Sequence, residues 1–271
     1  MEGYNVKVGI AGFGSIGKVV GEALDKGIEN LKLLGVCGRD FEKTNKRISI
    51  LKSTPLIMPA QELAEKCEVI VECVPKAAFL EIAEPALRYG RLLITVSGAG
   101  ILANPHVIDL AKKHGGKIIL ATGALLGLDA VRAAAEGNLK EVKMITRKPP
   151  NALRNAPYLL DNDISIEDLK EPKKVFEGTA KEGAAGFPAN VNVAAALGLA
   201  GFGADRTELE IWADPSLTRN THAIFVDSDS AKFQMNIENI QSNETPGTGK
   251  ITALSVIACL RGLAAPLRVG S

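Results

Sequence analysis

The run "VGIAGFGSIGKVV", Val8–Val20, joins an apolar segment to a helical one through three glycines. Val6–Gly12 is almost wholly apolar and reads as a buried parallel strand. From Ser15 onward, Ile16, Val19, Val20, Ala23 and Leu24 recur at helical spacing. The pattern Gly12-x-Gly14-x-x-Gly17 thus lies between a strand and a helix, the setting in which it signals a bound dinucleotide. Gly12 permits the tight turn, Gly14 has no Cβ to block a pyrophosphate, and Gly17 lets the helix press on the strand. The free N–H groups of the helix start, at Ser15 and Ile16, together with the helix dipole, would then bind phosphate. A plain strand–turn–helix junction is the competing reading of the same glycines.

The alternation continues beyond the loop. Lys32–Cys37, Glu68–Val74, Arg91–Ser97 and Lys117–Gly123 are further apolar runs of strand length. Pro75 suits a helix start after the third of the five strands. Between the last two, "PHVIDLAKKHG" has helical character, with Asn104 placed to cap it ahead of Pro105. Repeated strand–helix units with right-handed crossovers predict a Rossmann-type, doubly wound parallel sheet. The second half is different. Thr207–Trp212 and Ala231–Ile240 alternate polar and apolar residues, as strands with one wet face do. Leu128–Leu139 and Pro188–Phe202 read as helices packed on them. The expected fold class is α/β, the parallel sheet being followed by an α+β domain with a largely antiparallel sheet. Expected domains are 1–123 for the dinucleotide, 124–248 for substrate and catalysis, and a helix within 249–271 that packs back on the first.

Composition narrows the partners. Hydrophobic residues make up 46% and the formal net charge is +1, so no basic field invites nucleic acid or a membrane surface. No leader-like run opens the chain, and no apolar stretch has the length of a bilayer span. Cys37, Cys67, Cys73 and Cys259 make no C-x-x-C pair and no metal-ligand spacing, so they read as reduced, mostly buried thiols of a cytoplasmic protein. No metal site is expected.

Five places bear on chemistry. About twenty residues past the glycine loop, where an acid would grip the ribose of NAD, stands Gly38, followed by Arg39. A guanidinium there can stack on adenine or pair with a 2′-phosphate, so NAD or NADP is expected. Equally, Arg39 can be a solvated strand end with Asp40 capping the next helix. Gly123 and Ala124 are small enough for backbone to approach a flat ring, or they are an ordinary crossover. Asn190, in the first turn of an apolar helix, could bond a nicotinamide carboxamide or merely its own backbone. His222 is one of three histidines. Alternation places it with Ile224 and Val226 on one face, in either a structural or a catalytic role. A thiohemiacetal mechanism needs a thiolate with a basic partner near the nicotinamide, and no cysteine is well placed for it, since Cys259 falls in an apolar helix and Cys37, Cys67 and Cys73 on or beside strands.

Taken together, "GFGSIGK", "ATGALLGLDA", "TRKPP" (Thr146–Pro150), "FPANVNVAAALGLAG", "ADPSLTRNTHAIFV" and "IENIQSNETPGTGKITALSVIACLRG" resemble the L-aspartate dehydrogenase family over nearly the whole chain. The segment "SNETPGTGK" departs from the Glu-Asn-Pro-Lys-Thr-Ser often found there. The resemblance implies NAD(P)-dependent oxidation of L-aspartate to iminoaspartate, a precursor for NAD biosynthesis, by a homodimer. It implies that Ala124 and Asn190 contact the cofactor and that His222 is the active-site residue. A neutral imidazole, with a reference pKa of about 6.5, could take the amine proton or activate water. Arg147, Lys148 and Arg219 are the candidates to hold the substrate carboxylates, and the residue types do not rank them. A homoserine-type or cyclic-imine dehydrogenase of the same build, or a nucleotide sensor without turnover, would share most of these features.

Overall fold

The computed structural model describes residues 5–188, 192–242 and 248–270. The apolar run before the glycines forms β1 (Val6–Ala11), which lies inside a six-stranded parallel sheet. Its other strands are β2 (Leu31–Cys37), β3 (Leu56–Ile57), β4 (Val69–Glu72), β5 (Leu92–Thr95) and β6 (Lys117–Leu120), in the order β3-β2-β1-β4-β5-β6. The chain winds outward from β1 to β3, then resumes on the other side of β1, so the winding reverses between β1 and β4. Strand parity shows both faces covered: Val69 and Val71 enter one apolar cluster and Ile70 the other. The first cluster also takes Val20 and Leu24 of the helix Ser15–Asp25, and Val256 and Leu260 of the helix Lys250–Ala264. Full burial of a side chain of this size contributes about 1.5–3 kcal/mol. The chain divides into two compact units, and Thr252–Val269 belong with Met1–Ala121. Among the described residues no helix is long and apolar enough to cross a membrane.

The second unit is built on a mixed five-stranded sheet of β7 (Leu139–Lys148), β8 (Lys173–Thr179), β9 (Glu208–Ala213), β10 (Asn220–Ser228) and β11 (Lys232–Asn239). The order is β11-β10-β7-β9-β8, with β7 and β9 parallel and the other neighbours antiparallel. The helices Leu128–Ala135 and Asn192–Ala200 pack on one another, and the first also packs on β10.

Three local expectations change. The helix expected to reach Leu139 stops at Ala135, because Asp229 captures the turn that follows. Its carboxylate accepts the Asn138 backbone N–H at 3.1 Å and the side-chain amide at 3.0 Å, and a Cβ on Gly137 would fall 2.6 Å from it. The chain then enters β7, a ten-residue strand that the apolar pattern leaves unassigned. Asn104 does not cap the helix His106–His114 with its side chain. Its amide donates back to the Gly100 carbonyl at 2.9 Å, and Pro105 holds the cap position.

Candidate active site

The glycine loop is pinned on both sides. Gly12 N–H donates to the Cys37 carbonyl and Cys73 N–H to the Ala11 carbonyl, both at 2.8 Å. Gly12 has φ +89°, and a Cβ there would lie 2.6 Å from the Cys73 carbonyl oxygen. A Cβ on Gly17 would lie 2.1 Å from the Gly12 oxygen. Both positions are closed to any side chain by backbone, which does not yield. Gly14 is different: its Cβ would meet nothing within 4 Å. The loop thus leaves open space at Gly14, directly ahead of the helix that Ser15 and Ile16 begin. Arg47 braces this shape by donating to the Phe13 carbonyl at 2.9 Å.

Gly38 stands at the end of β2 for a steric reason. A Cβ there would fall 2.2 Å from the Thr44 hydroxyl oxygen of the next helix. Asp40 caps that helix, accepting from Lys43 N–H at 2.9 Å. Arg39 is exposed and makes no ion pair among the described residues.

Sequence reasoning overlooked Glu72, which ends β4 at the reversal point. It is fully buried, accepts from Val74 N–H at 2.8 Å, and takes the hydroxyl of Thr95. Burial pushes its carboxyl pKa up, against those hydrogen bonds. The available signal was a carboxylate closing an otherwise apolar strand, "EVIVE". Burial also pushes the Cys67 thiol up to about 11 and those of Cys37, Cys73 and Cys259 upward. All four are free cysteines, and burial disfavours their thiolate forms, which argues against cysteine nucleophiles.

In the second unit His222 faces Thr146 across β10 and β7, in register. Its Nδ1 lies 3.1 Å from the Thr146 hydroxyl oxygen. When Thr146 accepts Nδ1–H, the lone pair stands on Nε2. The ring is 3% exposed, and its pKa falls to about 3, first through burial and then through the charge of Lys148. Lys148 closes β7 on the same face as Thr146, and burial lowers its pKa to about 8. Asn220 opens β10 on this face too, two residues before His222. A buried histidine, lysine, threonine and asparagine therefore share one end of an otherwise apolar surface.

The three candidate cations now separate. Arg147 lies on the opposite face, 3.6 Å from the Asp214 carboxylate, with its guanidinium 4.6 Å from the Trp212 ring centre. Arg219 is exposed. Only Lys148 shares the His222 face. Ala124 lies in the turn that leads to the helix Leu128–Ala135, and its carbonyl accepts the Asn239 amide at 3.1 Å. Asn239 is the partner of Asn220 across β10 and β11. Asn190 lies outside the described residues.

A glycine loop on a parallel sheet, and a second unit with a buried imidazole and a buried lysine, are parts of the kind that a nicotinamide-dependent oxidoreductase uses. Comparison with known proteins gives the particular kind. Residues 129–263 match the family described as aspartate dehydrogenase, C-terminal, and residues 12–121 match the homoserine dehydrogenase NAD-binding domain. L-aspartate dehydrogenase of Bradyrhizobium diazoefficiens is 52% identical, covering 98% of this chain and 94% of that protein. L-aspartate dehydrogenase 3 of Bordetella bronchiseptica is 46% identical, with 97% of each chain covered. The fold also matches the crystal structure of aspartate dehydrogenase from Thermotoga maritima, at TM-score 0.77 and 24% identity over 98% of this chain and 100% of that one. The chain belongs to the L-aspartate dehydrogenase family.

Proposed function

We propose that the protein oxidises L-aspartate to iminoaspartate with NAD or NADP, feeding NAD biosynthesis, and that His222 and Lys148 perform the substrate side of the reaction. The observation that carries this reading is the buried ammonium beside the buried imidazole. An ammonium held out of water gains most from a bound carboxylate, and aspartate brings two. Residues 1–123 serve the dinucleotide and 124–248 the substrate, with a closing helix in 249–271. Gly12, Gly14, Ser15, Ile16 and Gly17 hold the pyrophosphate, Arg39 reaches the adenosine end, and Ala124 and Asn190 contact the nicotinamide end. The bound cofactor supplies the hydride acceptor.

The substrate amine must give up a proton before its lone pair can form the C=N bond as hydride leaves Cα. His222 takes that proton at Nε2 while Thr146 holds Nδ1–H. A carboxylate paired with Lys148 would offset the lysine's repulsion, the smaller of the two effects that lower the His222 pKa, while burial, the larger, remains. The released hydride and proton balance the step. We further propose a cytoplasmic homodimer with no nucleic-acid or membrane partner, supported by the family resemblance, the four free thiols and the near-zero net charge.

The test is a substrate panel read at the absorbance of the reduced cofactor. Aspartate should drive reduction. Homoserine, which lacks the second carboxylate, should not, and the reverse result assigns the chain to homoserine-type chemistry. Binding of NAD without turnover of any amino acid would leave only a sensor.

Two variants probe the nucleotide side. Gly14→Ala should melt within a few degrees of the parent, since the added Cβ meets open space, yet bind either dinucleotide at least about tenfold more weakly. Unchanged binding by calorimetry would remove phosphate from this loop. Arg39→Ala should weaken NADP about 10–100-fold, the value of a charge-assisted hydrogen bond, and NAD by less than about threefold. Equal losses would place the guanidinium on the adenine instead.

A further inference from the structure

Among the described residues the Asn220 side-chain oxygen is the one buried side-chain polar atom without a hydrogen-bond partner. Asn220 is 4% exposed and stands on the same face of β10 as His222. Residues two apart on a strand are about 6.5 Å apart, a gap that one small polar group can bridge. A fold pays for an unmet buried acceptor, and such an atom calls for a donor that arrives later. Two of its neighbours are already engaged. The Asn239 amide is committed to the Ala124 carbonyl, and the Thr146 hydroxyl lies against His222 Nδ1.

We infer that Asn220 accepts an N–H of the substrate's amino group and is the residue that selects an amino acid over its hydroxy or deamino counterpart. This rests on the aspartate reading above. The face offers two acceptors side by side, His222 Nε2 and Asn220 Oδ1. An amine carries at least two N–H donors and satisfies both. A hydroxyl carries one donor and leaves one acceptor unpaired, and a methylene leaves both. Lys148 meanwhile takes a carboxylate, a feature that aspartate, malate and succinate share. Lys148 therefore reads the acid and Asn220 the amine.

The experiment compares aspartate kinetics with inhibition by succinate, which is aspartate without its amino group. In Asn220→Leu, kcat/KM for aspartate should fall about 10–100-fold, while succinate inhibition and NAD binding stay within about threefold. The melting temperature of the unliganded variant should hold or rise, since the orphaned oxygen is gone. Asn220→Asp, which keeps an acceptor in place, should retain or increase the preference for aspartate over succinate, and it tests the inference if the leucine variant does not fold. Equal losses for aspartate and succinate, or a preference lost in Asn220→Asp, would overturn the inference and leave Asn220 a packing residue. So would unchanged aspartate kinetics, the result expected if ordered water completes the amide. A parent enzyme inert towards aspartate overturns the functional reading and this inference together. A parent active on aspartate with an unmoved ratio in the variants overturns the inference alone.

Discussion

His222→Gln should lower aspartate oxidation by about a hundred- to ten-thousand-fold, the range for loss of a positioned general base, while NAD binding stays within about twofold. Glutamine keeps polar atoms on the face but cannot accept a proton near neutral pH. Steady-state rates and NAD titration together check this, and turnover near that of the parent would remove His222 from the chemistry. A second readout follows from burial. The folded-state pKa of about 3 lies below the unfolded value of 6.5. The unfolded chain therefore binds the proton first as pH falls, and folding stability drains away from pH 6.5 downward towards 3. Between pH 6.5 and 5 the loss is about 2 kcal/mol. His222→Gln should flatten that part of the curve in urea titrations. An unchanged slope would mean that the ring is protonated in the folded protein.

Lys148→Met should move activity and stability in opposite directions. Loss of the ammonium should raise KM for aspartate, and the inhibition constant of succinate, about 10–100-fold. Methionine fills the same volume without a charge. The folded-state pKa of about 8 against 10.5 unfolded means that the charged lysine costs folding about 3 kcal/mol below pH 8. That cost lifts as pH rises from 8 to 10.5, so the variant's advantage should be largest at pH 7 and shrink in alkali. Succinate binding to the parent should weaken above pH 8 as Lys148 discharges, and in the variant it should be flat. A less stable variant with normal succinate affinity would make Lys148 a structural residue.

Much of the first unit was legible because its signals are local. Three glycines between a strand and a helix lie within one short stretch of chain, and the packing around Gly12 and Gly17 shows why two of them carry no side chain. The second unit was harder to read for a reason tied to its chemistry. β7 carries Thr146 and Lys148 at inward positions, so the polar residues interrupt the apolar alternation that would have revealed the strand. Without β7 there is no parity to separate Lys148 from Arg147, two adjacent cations of equal promise in "TRKPP". β10 was easier to see, since Ile224 and Val226 continue the His222 face. Even there, the significance of Asn220 depends on which amides across the sheet are already committed, and that is a tertiary fact. Glu72 is similar: its partner Thr95 comes from the neighbouring strand, 23 positions away.

The contact between Gly38 and Thr44 also constrains how this lineage can change. An aspartate at position 38, the usual device for gripping a ribose, would bring its Cβ within 2.2 Å of the Thr44 hydroxyl oxygen, so Thr44 has to turn or give way to admit it. A smaller residue at position 44, such as alanine, would relieve the contact. The two positions are coupled, so what is tolerated at one depends on the residue at the other.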